Sequence, residues 1–283
     1  MHSFHDSSRI AEDRELRSEY IRELVQEAAP IESSSNRTEI PKVIVQFWHD
    51  LDAIPGDVQE CVDSWEPLIK RGFTRVLFDN DQARRFIAKT LGRVHVSAFN
   101  ECHHPAMRCD YFRLCYIFMH GGFYIDADEL YQGTECSGSF YDNRLKIQPL
   151  CYDTGSGAMI STDVFVRQRR RSPGWIYYVN NNPIIAPAYH PVIRSALDRS
   201  TRILLSRVKE RADIQSTTGP GNLTASLVKH CIASQATGSP RDFVMLFNWE
   251  TTSISRWPLS YRNDKRNWRL WSLPHCKREE LSS

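Results

Sequence analysis

Asp126 and Asp128 stand one residue apart at the end of a β-prone run, Phe123-Tyr124-Ile125, and Glu129 follows directly. Two carboxylates that close repel each other unless a cation lies between them. Hard oxygen ligands with positions left open suit Mg²⁺ or Mn²⁺ holding a diphosphate. Upstream, Asp110 and Arg113 are three residues apart and share a face if the segment is helical, so that one acceptor and one forked donor reach toward the same ligand. The plainer reading of the same acids is an Asp-rich turn that caps a strand.

These side chains need a helix and a strand to hold them, and residues 107–130, MRCDYFRLCYIFMHGGFYIDADEL, supply both. Pro105 suits the first turn of a helix, and residues 106–119 run without Gly or Pro, with Met107, Leu114, Ile117 and Phe118 on the buried side. Gly121 and Gly122 end that helix, and the apolar run 123–125 enters a sheet before the chain turns acidic. In an open α/β sheet, ligands bind beyond the carboxyl ends of the strands, where Asp126 and Asp128 fall. Strand alternation puts both on one side and Ala127 on the other.

The segment AMRCDYFRLCYIFMHGGFYIDAD resembles the Asp-x-Asp region of glycosyltransferases with a GT-A fold. The closest likeness is to the family 32 type, which includes mannosyl-, galactosyl- and N-acetylglucosaminyltransferases, and to the related clostridial glucosylating toxins. A bare Asp-x-Asp says little. The whole pattern of small residue, Asp, two residues, Arg, helical stretch, Gly-Gly, aromatic and Asp-x-Asp is specific. Residues 40–48, IPKVIVQFW, match the family's opening strand. The resemblance implies that this strand's end meets the nucleotide, with Gln46, Trp48 and Tyr124 on the donor side. Trp48 then either stacks on the base, worth about 1–3 kcal/mol, or is a core aromatic.

Residues 180–191, NNNPIIAPAYHP, resemble a second family block, in which Asn181 or Asn182 faces the sugar, since neutral amides read hydroxyls without competing for a metal. Thr217-Thr218-Gly219-Pro220 resembles a third, with Thr218 near the donor sugar or the acceptor. The same turn also serves as an ordinary helix start. Relatives close the site with a C-terminal Ser/Trp/His segment. The paired His of many relatives is missing here, which leaves Ser272 and His275 as candidates for a third metal ligand.

The resemblance implies an α/β fold of the GT-A type, a nucleotide-binding mixed sheet flanked by helices in a single catalytic domain. It also implies a retaining transfer with Mn²⁺ or Mg²⁺ as cofactor. The donor is a nucleoside diphosphate sugar, UDP-hexose favoured and GDP-mannose the alternative, and the acceptor a glycan, small molecule or protein. Asp128 binds the metal directly, Asp126 holds ribose or metal, and Asp110 and Arg113 orient the donor sugar. Two other functions fit the residues: a nucleotide-sugar-binding protein without turnover, and a metal-dependent nucleotide-sugar pyrophosphatase.

Composition narrows the classes. Lys plus Arg (36) nearly balance Asp plus Glu (34), so bulk charge points to neither nucleic acid nor an anionic membrane as partner. The basic run 167–171, RQRRR, reads as a solvated face. No stretch approaches the ~20 apolar residues that span a bilayer, and the first residues show no signal-peptide core. The eight cysteines lack C-x-x-C spacing and read as reduced thiols, which fits a cytoplasmic chain.

Along the chain, residues 10–28 carry a modest apolar stripe and predict an amphipathic helix that packs on the domain or on a partner. Residues 30–39 read as a linker, giving a tail over 1–38 and a transferase domain over 39–283, with residues 1–36 expected to be dispensable for donor hydrolysis. Residues 58–70 predict a helix and 73–78 a strand, the start of a nucleotide-binding half. Asp79 N-caps the helix over 82–91 or touches the nucleoside. Residues 145–150, 158–160 and 163–166 are expected as short strands, and 191–210 as a helix.

Overall fold

The computed structural model describes residues 9–27, 39–206, 213–267 and 269. Its strands are β1 (Val43–Phe47), β2 (Thr74–Phe78), β3 (Gly122–Tyr124), β4 (Glu129–Tyr131), β5 (Leu145–Asp153), β6 (Ala158–Ile160), β7 (Trp175–Ala186), β8 (Phe243–Met245) and β9 (Ser253–Ser255). The longer helices are α1 (Arg14–Gln26), α2 (Gly56–Asp63), α3 (Asn80–Thr90), α4 (Pro105–His120), α5 (Pro191–Leu204) and α6 (Pro220–Thr237).

Seven strands form one mixed sheet in the order β2-β1-β3-β7-β5-β6, with β8 beside β5. β1 runs parallel to β2 and β3. β7 lies antiparallel to both β3 and β5. β4 and β9 make a separate two-stranded ribbon. This is the expected α/β arrangement of a mixed sheet flanked by helices.

Local chemistry explains the central unit. His104 caps α4 by accepting from Ala106 N at 3.1 Å, and Pro105 fills the first turn, where a missing N–H is harmless. Gly121, at φ 66°, ends the helix. A Cβ there would lie 2.7 Å from the backbone nitrogen of Ala188 and 2.8 Å from the carbonyl of Ala186, so the chain can double back onto β7 only with glycine. α4 is buried nearly all round: Asp110, Tyr111, Phe112, Arg113 and Cys115 join the expected Met107, Leu114 and Ile117, and Phe118 is half-buried.

Elsewhere the expectations meet the structure unevenly. Residues 58–70 break into α2 and a short turn, Glu66–Ile69, around the fully buried Trp65. Residues 163–166 are not a strand but part of a helical turn, Thr162–Arg167, which buries Phe165. Asp79 is an N-cap, with Gln82 completing a capping box. In the basic run 167–171, the four arginines are exposed.

Of the two packings open to the N-terminal helix, α1 takes the one on the sheet. Ile21, Leu24 and Val25 are buried in the main core beside Val179 and Val228. Ser18 Oγ accepts from Tyr177 N of β7 at 2.9 Å, and Arg199 of α5 pairs with Glu12 at 2.7 Å. Leu24→Ala is expected to lower stability by about 2–5 kcal/mol, the range for large-to-small changes in a core. An unchanged urea midpoint would mean that the helix is a detachable tail.

Candidate active site

At the carboxyl end of β3 the chain makes a tight turn, closed by Glu129 N donating to Asp126 O at 3.2 Å. Asp126 and Asp128 therefore sit on a turn, because the strand stops at Tyr124, and the alternation argument does not reach them. The turn still brings both to one cleft, shared with Asp110, Arg113, Trp48 and Asn181. The cleft encloses about 2120 Å³. That exceeds the ~300–1,000 Å³ of a typical small-molecule pocket, so it has room for two substrates.

Each acid has an arginine. Arg113, with a side chain only 2% exposed, donates Nη2 to Asp126 Oδ1 at 2.6 Å and lies 3.3 Å from Asp110 Oδ1. Its Nη1 donates to the carbonyl of Asn181, and its guanidinium stacks 4.3 Å over the Tyr124 ring. Asp128 Oδ2 accepts from Tyr261 OH at 2.6 Å and from Arg262 Nη2. Burial raises the pKa of Asp126 against the opposing pull of Arg113, with Asp128 adding to the rise. Asp110 is pushed up to about 6, mainly by burial.

Behind the acids lies a layer of amides. Asn181 Nδ2 donates to Asp110 Oδ1 at 2.8 Å, and Thr218 Oγ1 donates to its Oδ2 at 3.3 Å. Asn182 takes both sides of the turn: its Oδ1 accepts from Asp126 N at 2.9 Å and its Nδ2 donates to Glu129 Oε1 at 3.1 Å. Ser253 Oγ of β9 donates to Glu129 Oε2. Burial pushes the Glu129 carboxyl up to about 8, so near neutral pH it is mostly the uncharged acid. Glu129→Gln keeps that state and the acceptor for Asn182, and is expected to cost under ~1 kcal/mol. Glu129→Ala strands the Asn182 amide, a loss of about 1–3 kcal/mol. Equal denaturation midpoints for the two variants would remove Glu129 from the support of the turn.

Placement of the residues named from the sequence is mixed. Asp110, Arg113, Asp126, Asp128, Trp48, Asn181 and Asn182 all line the cleft. Trp48 meets the core reading, since it packs with Val58, Val62 and Ala127, and it also borders the cleft; among the described residues its buried indole N–H has no partner. Gln46, Tyr124 and Thr218 are buried one layer below. Gln46 Nε2 reaches Asp126 O at 3.5 Å, and Tyr124 OH meets Cys109 Sγ at 2.8 Å. Ser272 and His275 lie outside the described residues. Sequence reading named Glu129 without giving it a role and missed Ser253, Tyr261 and Arg262; these three lie 124 to 134 residues from their partners, a distance at which no periodicity operates.

The site's chemistry suits a divalent cation. Among the described residues, hydrogen bonds engage Oδ1 of Asp126 and Oδ2 of Asp128 only, leaving one hard oxygen on each. Arg113 and Arg262 stand against the aspartates Asp110, Asp126 and Asp128 at this end of the cleft. No group of three or more His, Cys, Asp or Glu among the described residues is placed to hold a metal by itself, so further ligands would come from substrate, water or residues outside that set. The seven described cysteines are unbridged, and no helix among the described residues is long and apolar enough to cross a membrane.

No family model matches the chain. Over 90 residues, 31% of the chain, it is 27% identical to an uncharacterized glycosyltransferase of Acanthamoeba polyphaga mimivirus. That match spans 36% of the relative's length. Among solved structures, PaToxG Glycosyltransferase superposes with a TM-score of 0.46 at 13% identity, over 88% of this chain and 94% of the other.

Proposed function

We propose that the chain is a glycosyltransferase that moves a hexose from a nucleoside diphosphate sugar, UDP-linked in preference to GDP-linked, to an acceptor hydroxyl, with a divalent cation and with retention of configuration. The observation that carries this reading is the turn at the end of β3, which sets Asp126 and Asp128 in one cleft that Trp48 also borders. The short match to a protein named as a glycosyltransferase supports the reaction class. The retaining outcome rests on the resemblance in the sequence.

In this reading Asp126 and Asp128 hold Mn²⁺ or Mg²⁺ through their remaining oxygens. A cation held there would supply positive charge against the departing diphosphate, worth several kcal/mol in the transition state. Arg113 is committed to Asp126 and the Asn181 carbonyl, so it orients the donor by fixing the acids. Asp110, held by Asn181 and Thr218, borders the cleft and accepts from sugar hydroxyls. Trp48, which borders the cleft, offers an aromatic edge to the nucleotide. The volume left over takes the acceptor, whether glycan, small molecule or protein.

A thermal-shift screen of UDP- and GDP-sugars with and without Mn²⁺, followed by product analysis, tests the reading. A ligand at ~100 times its dissociation constant stabilises the native state by about 2.7 kcal/mol. A Mn²⁺-dependent shift and release of nucleoside diphosphate are expected. Nucleoside monophosphate as product would make the chain a pyrophosphatase, and binding without turnover would make it a donor-binding protein. Equal UDP affinity in Mn²⁺ and in excess chelator would remove the metal from the site.

A further inference from the structure

Arg262 borders the cleft in direct contact with Asp128, and the proposed function leaves it without a task. It sits on a short turn, Ser260–Asn263, whose backbone is pinned on both sides. Asp57 accepts from Ser260 N at 2.6 Å and from Ser260 Oγ at 3.0 Å, and Asn267 Nδ2 donates to Arg262 O at 2.7 Å. The guanidinium lies 3.7 Å over the Trp257 ring, gives Nη2 to Asp128 and, at 3.1 Å, to Ser255 Oγ. Its side chain is 8% exposed, yet it borders the cleft, and among the described residues its Nε has no partner. The base of this arginine is fixed and its head has hydrogen-bonding capacity to spare.

That placement sets two cations against one carboxylate. A divalent ion on Asp128 and a guanidinium on the same group repel each other across a few ångströms, in surroundings that screen charge poorly. The arriving ion removes the arginine's counter-charge. A diphosphate arriving with it offers a better one, because guanidinium geometry matches phosphate oxygens through paired N–H donors. Trp257 provides a flat surface along which the head can turn while its base stays in place.

We infer that Arg262 is a resident counter-ion that exchanges partners: it neutralises Asp128 in the metal-free protein and, once a divalent cation occupies that carboxylate, engages the diphosphate of the donor. This rests on the donor reading above. The exchange links the two ligands, so cation and diphosphate raise each other's affinity by the same factor. It also protects the site, since Asp128 is not left as an unpaired charge between turnovers.

The test compares wild type with Arg262→Gln, reading Mn²⁺ binding alone by the loss of the free-ion paramagnetic resonance signal, and UDP binding at saturating Mn²⁺ by calorimetry. Removing the competing charge is expected to tighten Mn²⁺ binding at least ~5-fold, at the lower end of ordinary coupling, and to weaken UDP binding at least ~10-fold. Arg262→Met keeps the packing on Trp257 without the charge and carries the same two expectations should the glutamine variant not fold. Unchanged or weaker Mn²⁺ binding in the variant overturns the competition, and unchanged UDP binding overturns the engagement of phosphate. If wild type itself binds neither Mn²⁺ nor UDP, the donor-site reading falls and this inference with it. If wild type binds both and the variants match it, this inference alone falls.

Discussion

Asp128→Asn is expected to cut transfer by more than ~100-fold while leaving the fold in place. An amide is a poor ligand for a hard cation, and the contribution of a bound metal to the transition state, several kcal/mol, corresponds to at least that factor. The fold should persist because the replacement keeps an oxygen where Tyr261 OH and Arg262 Nη2 donate, and the side chain is only 15% exposed at the edge of a cleft rather than sealed in the core. Single-turnover rates, a urea midpoint and the dependence of rate on Mn²⁺ together make the measurement. Transfer at the wild-type rate by a folded Asp128→Asn protein would place the reaction elsewhere in the cleft. A collapse in stability with no change in metal dependence would instead make Asp128 a structural partner of Arg262.

The parts of this site that could be read from the chain are those set by local chemistry. Pro105, the uninterrupted run after it and Gly121-Gly122 state where α4 begins and ends, because first-turn proline and positive-φ glycine have few other uses. The spacing of Asp110 and Arg113 correctly puts them on one face of α4, where they lie 3.3 Å from each other. The tighter partner of Arg113, however, is Asp126 at 2.6 Å, on the far side of a helix end and a strand. Alternation failed at Asp126 and Asp128 for a related reason: β3 is three residues long, and a turn begins where the pattern was still being counted. Residues 163–166 went astray because β-branched Val164 and Val166 favour strands locally, whereas Phe165 finds its buried site from a helical turn, with Tyr177 of β7 beside it. The ring of groups around Glu129 and Asp128 comes from β7, β9 and the turn at 260–263, which only the folded chain brings together.

Arg113→Met is expected to be among the most damaging single changes in the molecule, and Arg113→Lys to be intermediate. The guanidinium is fully buried, serves Asp126, Asp110 and the Asn181 carbonyl together, and stacks on Tyr124. Methionine fills much of its volume but leaves the buried Asp110 and the part-exposed Asp126 without their shared counter-charge. Losing one member of a buried ion pair typically costs about 3–5 kcal/mol. Part of that loss is relieved if Asp110, already raised to about 6, takes up a proton. Lysine restores the charge without the fork, so it can reach Asp126 or the carbonyl but not hold both in the present geometry. It should therefore fold, bind Mn²⁺ and UDP within roughly tenfold of wild type, and lose most transfer, because displacing reacting groups by ~1 Å costs ~10²-fold. Denaturation midpoints, UDP calorimetry and single-turnover rates on both variants separate the outcomes. Wild-type turnover in Arg113→Lys would reduce the arginine to a charge that any cation can supply. Loss of UDP binding together with turnover, in a variant of unchanged stability, would show that Arg113 serves the diphosphate directly and that its contact with Asp126 is secondary.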